Sequence, residues 1–142
     1  MRIRNVVSSL AVGAAFFAGV PLAAAGTQTA ELLPPCATDP FRSETVHFEK
    51  PDQWSYDYYV LWCANSAQVE WTVPVVTHEI PDGSDCTWVG DRESQSPKDG
   101  GVSALGMSEF SCPNARVTVD NPWAIVGVSP DGSSRVEDKG IA

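Results

Sequence analysis

Basic residues are scarce in this chain: nine Lys/Arg stand against 18 Asp/Glu, a formal net charge of −9. A surface poor in Lys and Arg cannot neutralise a phosphate backbone, so nucleic acid is not an expected partner. Histidine is scarcer still, with only His47 and His78. Acid–base and nucleophilic sites usually set a His beside a placed carboxylate and a Ser or Cys. Both histidines here have polar neighbours and read as solvent-exposed strand residues, and no Gly-x-Ser-x-Gly elbow is present. Cysteine occurs four times, with 26, 22 and 25 residues between successive members. That spacing lacks the close C-x-x-C pair of a metal site. Asp82-Gly83-Ser84-Asp85 lacks the ligand series and closing Glu of a calcium loop. The acids are spread along the chain, so spacing singles out no carboxylate pair for glycoside hydrolysis. Neither a catalytic residue, a metal nor a cofactor is therefore expected, and the chain is not expected to be an enzyme.

Long apolar runs are also missing after the first 25 residues, so no internal membrane span is expected. That first stretch has the parts of a secretory signal. Arg2 and Arg4 are basic, Val6 to Val20 is uncharged and mostly apolar, and Ala23-Ala24-Ala25 follows Pro21. An uncleaved anchor is the competing reading, because Val6 to Ala25 approaches the length of a spanning helix. Cleavage before Gly26 leaves 117 residues and all four cysteines. It also removes two arginines, leaving seven Lys/Arg against 18 Asp/Glu, a net charge of −11. Such a surface favours a soluble, monomeric extracellular protein through self-repulsion.

Export implies an oxidising compartment, so the cysteines are assigned to disulfides. Four cysteines allow three pairings. Cys36–Cys63 with Cys86–Cys112 is the expectation, because it joins segments on either side of one turn region. Cys63–Cys86 with Cys36–Cys112 stays open. A bridge closing a loop of about 27 residues contributes roughly 3–4 kcal/mol in the chain-entropy model. That is a large share of the ~5–15 kcal/mol that holds a typical domain together.

The expected organisation is a signal over residues 1–25, a flexible tether over 26–35, a β domain over 36–138 and a frayed tail over 139–142. Glu44 to Glu49, Tyr56 to Ala64 and Val69 to Thr77 alternate as strands, the last two joined as a hairpin by a short turn. Pro74 cannot donate to a ladder, which places its strand at an edge or at a bulge. Cys86 to Val89 is a short strand, and Arg116 to Asp120 forms a second hairpin with Trp123 to Val128. The Pro81-Asp82-Gly83 and Pro130-Asp131-Gly132 segments read as turns between strands. Gly90 to Gly101 reads as a mobile loop, and Ala104 to Phe110 as one helical turn or an irregular strand. No long helical period survives after the signal. The fold class is all-β: a small, disulfide-stapled antiparallel β-sandwich or barrel.

Aromatic side chains supply the candidate binding site. Trp54, Tyr56, Tyr58, Tyr59 and Trp62 fall within nine residues. Trp54 stands in a turn, where a rigid ring can anchor a ligand at low entropic cost. Tyr56, Tyr59 and Trp88 join it as candidate contacts, while Trp62, Trp71 and Trp123 sit inside strand patterns and read as core. Trp54-Ser55-Tyr56 between Cys36 and Cys63 resembles the Trp-Arg-Tyr segment of the small secreted α-amylase inhibitors of actinomycetes, with Ser55 in place of the arginine. The resemblance implies a β-sandwich with two neighbour-paired disulfides and an inhibitor's role. The leading expectation is a secreted, non-enzymatic binding module that offers aromatic and acidic loops to an extracellular protein or polysaccharide. An inhibitor of a secreted hydrolase, inserting Pro51 to Tyr56 or Gly90 to Gly101, is the second. A cell-envelope or coat assembly protein is the third.

Overall fold

The computed structural model describes residues 33–114, 116 and 118–142, so the signal segment and residues 26–32 of the tether lie outside the described residues. Nine strands follow in chain order: β1 Phe41–Arg42, β2 Val46–Lys50, β3 Trp54–Ala64, β4 Val69–Glu79, β5 Thr87–Lys98, β6 Gly101–Ser111, β7 Val119–Asp120, β8 Pro122–Val128 and β9 Ser134–Ile141. Every pairing is antiparallel, and no helix occurs among the described residues. In the first sheet, β3 lies between β4 on one side and the short strands β1 and β2 on the other. The second sheet runs β5-β6-β8-β9, with β7 beside the far end of β6.

The two sheets share one core because β3 turns an unbroken apolar row toward it. Trp54, Tyr56, Tyr58, Val60 and Trp62 are spaced two apart and buried. Ala104, Phe110, Ala124, Val126 and Val128 answer from the second sheet. Buried phenols need acceptors. Tyr56 donates to the carbonyl of Gly106 at 2.8 Å and Tyr58 to that of Ala104 at 2.9 Å, so both hydroxyls tie one sheet to the other. Tyr58 fits because Gly106 has no side chain: a Cβ there would meet the ring at 2.3 Å.

Both expected disulfides are present, Cys36–Cys63 and Cys86–Cys112. Pro74 sits in β4, an edge strand, as its missing N–H requires. Other segments depart from expectation. Gly90 to Gly101 is no loop: most of it is β5, paired with β6 through a two-residue Asp99-Gly100 turn with φ of 45° and 79°. These are the positive angles of the tight hairpin turn that Asp-Gly favours. Ala104 to Phe110 is regular strand at the centre of its sheet. Among the described residues of 116–120 only Val119–Asp120 is strand, and it pairs with β6 rather than with β8. β7 and β8 thus follow one another along the same side of β6, separated by Asn121. The tail does not fray: β9 runs to Ile141, and Ala142 exchanges two backbone bonds with Asn121 at 2.9 and 3.1 Å. Of the two Pro-Asp-Gly turns, the second joins β8 to β9 and the first lies in the crossover from β4 to β5.

Glycine also allows a reach across the second sheet. Glu137 is the extra residue where the β8–β9 register shifts. Its carboxylate passes over Gly127 of β8 to accept from the Ser103 hydroxyl of β6 at 2.7 Å, from Lys98 at 3.0 Å and from Arg135 at 3.4 Å. A Cβ on Gly127 would sit 2.6 Å from that carboxylate.

Candidate functional site

The four aromatic candidates do not converge. Trp54 is 1% exposed and begins β3 rather than standing in a turn. Its ring lies flat on Phe110, with centroids 4.8 Å apart and planes 4° apart, and its indole N–H donates to Asp120 at 3.0 Å. Lys50 donates to the same oxygen at 2.8 Å, so the nearly buried Asp120 carboxylate is neutralised and bonded. Tyr56 is buried, and burial raises its hydroxyl far above the ordinary phenol range. The Trp54-Ser55-Tyr56 segment behind the resemblance therefore presents neither aromatic ring at the surface. Tyr59 lies half-buried on the opposite face of β3, with the Arg42 guanidinium 4.0 Å above its ring. Trp71 and Trp123 are also half-buried rather than core. Trp71 shares the outer face with Cys63 and donates to the Pro35 carbonyl at 3.1 Å, while Trp123 covers Gly140.

Trp88 alone of the four candidates is well exposed, at 42%. Its position follows from a bulge. The β5–β6 register shifts between Trp88 and Gly90, leaving Val89 as the additional residue. In an unbulged strand, Trp88 and Asp91, three residues apart, would point to opposite faces, because side chains alternate. With the bulge, Trp88, Asp91, Glu93 and Gln95 share the inward row, opposite Phe110, Ser108, Gly106 and Ala104.

This row meets β4 at the edge between the sheets. The Trp88 ring stacks on His78 of β4, with centroids 4.5 Å and planes 14° apart. The Trp88 indole N–H donates to Oδ1 of Asp91 at 3.0 Å, and the buried Ser108 hydroxyl donates to the same atom. Further along, Gln95 and Thr72 bridge the two strands: the Thr72 hydroxyl donates to Gln95, whose amide reaches the Thr72 carbonyl at 3.4 Å. Between these bridges β5 carries Asp91 and Glu93, and β4 carries Val76 and Pro74. Burial, and secondarily the charge of Asp91, pushes the Glu93 carboxyl above its ordinary pKa.

The ring is fixed before any ligand arrives. His78 packs one face, Asp91 holds the N–H, and His78 meets Phe110 edge-on at 6.1 Å. Phe110 in turn lies on Trp54. Four rings thus run from core to surface, with Trp54 and Phe110 buried and His78 and Trp88 exposed. A pre-set aromatic face loses little freedom on binding. Two shallow concavities lie elsewhere and are lined by no aromatic side chain. One, of about 410 Å³, includes Lys98, Ser103, Arg135 and Glu137. The other, of about 360 Å³, includes Asp52, Gln53, Asp85 and Asn114.

Asp91 and Glu93 escape the sequence reading because residues 90–101 read as a loop, whereas His78 reads as an exposed strand residue with no sign of its stack on Trp88. The signal that exposes the two acids is the Asp-Gly turn at 99–100, which converts the polar run before it into a strand. No protein-family model matches the chain, and searches of curated proteins and of solved structures return no match.

Proposed function

We propose that this chain is a secreted, non-enzymatic binding module, a disulfide-stapled β-sandwich that takes an extracellular glycan on the Trp88 ledge. One observation carries the reading: Trp88 exposes 42% of its surface while His78 and Asp91 hold its ring in place. A sugar ring can lay its C–H face on such an indole while neighbouring carboxylates accept from its hydroxyls. The two disulfides agree with an oxidising, extracellular setting. A glycan suits this edge better than an extended peptide. Peptides that add to a sheet edge need a regular row of backbone donors. Here Pro74 and Pro97 lack N–H groups and Val89 interrupts the register.

The inhibitor reading draws less support. Of its two inserting segments, Gly90 to Gly101 is mostly strand, and Pro51 to Tyr56 leaves only the turn at Pro51–Gln53 outside β3. The test is titration of the exported protein with a panel of soluble oligosaccharides, read by tryptophan fluorescence. Binding by at least one glycan, lost in Trp88→Ala with the melting temperature lowered by no more than about 4 °C, supports the proposal. Undiminished binding in that variant, or turnover of any glycan, overturns it. Light scattering that finds large assemblies would favour the coat-protein reading instead.

A further inference from the structure

Resting on the glycan reading, we propose that the ligand of the Trp88 ledge is a cationic glycan, one whose sugar rings carry free amino groups. The residues beside the indole set this chemistry. Asp91 and Glu93 stand two apart on the same row as Trp88, so Asp91 borders the ring at its N–H and Glu93 follows along the same row. Trp88 and Ser108 both bond Oδ1 of Asp91, leaving Oδ2 to a ligand. Neither carboxylate forms an ion pair among the described residues. The cations of β4, β5 and β6 are Arg92 and Lys98, both on the opposite row of β5, and Lys98 is bonded to Glu137. Lys50 is bonded to Asp120. Across the gap, the inward row of β4 sets Val76 and Pro74 opposite the carboxylates, with His78 stacked on Trp88 at its end.

An ammonium group placed here completes the site. It is attracted by the indole face and by both carboxylates, and its charge offsets the burial and the Asp91 repulsion that together raise Glu93. The pyranose that carries it covers the ring. The net charge of −11 left after signal removal adds long-range attraction for a polycation. An N-acetylated sugar has the same ring but no charge, and it forgoes these gains.

The decisive measurement is calorimetric titration at physiological salt with three oligomers of equal length: glucosamine, its N-acetylated form and a neutral glucan. The glucosamine oligomer is expected to bind at least tenfold tighter than the other two. Glu93→Gln, and Asp91→Asn with it, should shrink that preference severalfold, weakening the glucosamine oligomer far more than the acetylated one. Trp88→Ala should weaken all three. Thermal melts of each variant separate lost contacts from lost folding. Equal affinity for all three oligomers refutes the amino-group inference and leaves the glycan reading standing. Absence of binding by any glycan removes both. Oligolysine binding as tightly as the amino sugar, and unaffected by Trp88→Ala, shows attraction by charge alone and overturns the inference.

Discussion

Replacing Trp54 and Trp88 separately by alanine distinguishes a structural ring from a binding ring. Trp54 is buried, lies flat on Phe110 and donates to Asp120. Truncating a buried Trp to Ala costs about 3–5 kcal/mol. The lost bond to a charged acceptor adds roughly 1 kcal/mol or more, since Asp120 keeps only Lys50. Trp54→Ala should therefore lose about 4–6 kcal/mol, most of the reserve of a domain stabilised by ~5–15 kcal/mol. At roughly 4 °C per kcal/mol for a domain of about this size, the melting temperature falls by about 15–25 °C. Trp88 is 42% exposed, so Trp88→Ala should cost on the order of 1 kcal/mol, mainly the stack on His78. Urea unfolding followed by far-ultraviolet circular dichroism, with both disulfides intact, measures the pair. A Trp54→Ala protein within 1 kcal/mol of wild type refutes the assignment of Trp54 to the core. A Trp88→Ala protein as damaged as Trp54→Ala makes Trp88 a structural residue and removes the proposed site.

Gly106→Ala should destabilise by about 1–3 kcal/mol in the same assay, because its Cβ would press on the Tyr58 ring at 2.3 Å. Removing the Cys86–Cys112 bridge by a double Ser substitution frees a 26-residue separation and should cost roughly 3–4 kcal/mol. Glu93→Gln should raise the melting temperature at pH 7 and change nothing near pH 3. The raised carboxyl favours the fold while protonated, and that contribution fades as pH climbs through its folded value. Glu137→Gln should behave oppositely. Its carboxyl is held below the ordinary range chiefly by Ser103 and then by Lys98. The variant is therefore less stable at neutral pH, and its stability converges with wild type as acid protonates the native Glu137.

Much of the architecture was legible because its causes are local. Pro74 announced an edge strand, and the doubly apolar Tyr56 to Ala64 segment announced a central one. Neighbour pairing of the cysteines was legible too, as a preference among three. The failures have a common cause: an edge strand need bury no apolar row. β5 is polar along most of both faces, so hydrophobic periodicity passes over it, and Asp99-Gly100 is the only local clue. The same limit applies to β4, where Trp71, Val73 and Val75 share the outer face with Cys63, Leu61 and Tyr59. Thr72 and Pro74 oppose the inward-facing Trp62 and Val60. Alternation shows that two faces exist, not which one meets the other sheet. Trp54 was misplaced because nothing near it in sequence reveals Asp120 or Phe110, which lie 66 and 56 residues away. The candidate site depends on a one-residue bulge, which leaves no periodic trace.

The run of four rings from Trp54 through Phe110 and His78 to Trp88 has an optical consequence. Aromatic transitions this close couple, so the near-ultraviolet dichroism belongs to the whole array. A solute settling on the outermost member perturbs a signal to which the buried Trp54 and Phe110 also contribute. The proposed site would thereby carry its own label-free reporter of occupancy, and silencing the Trp88 end leaves the buried contribution as an internal standard.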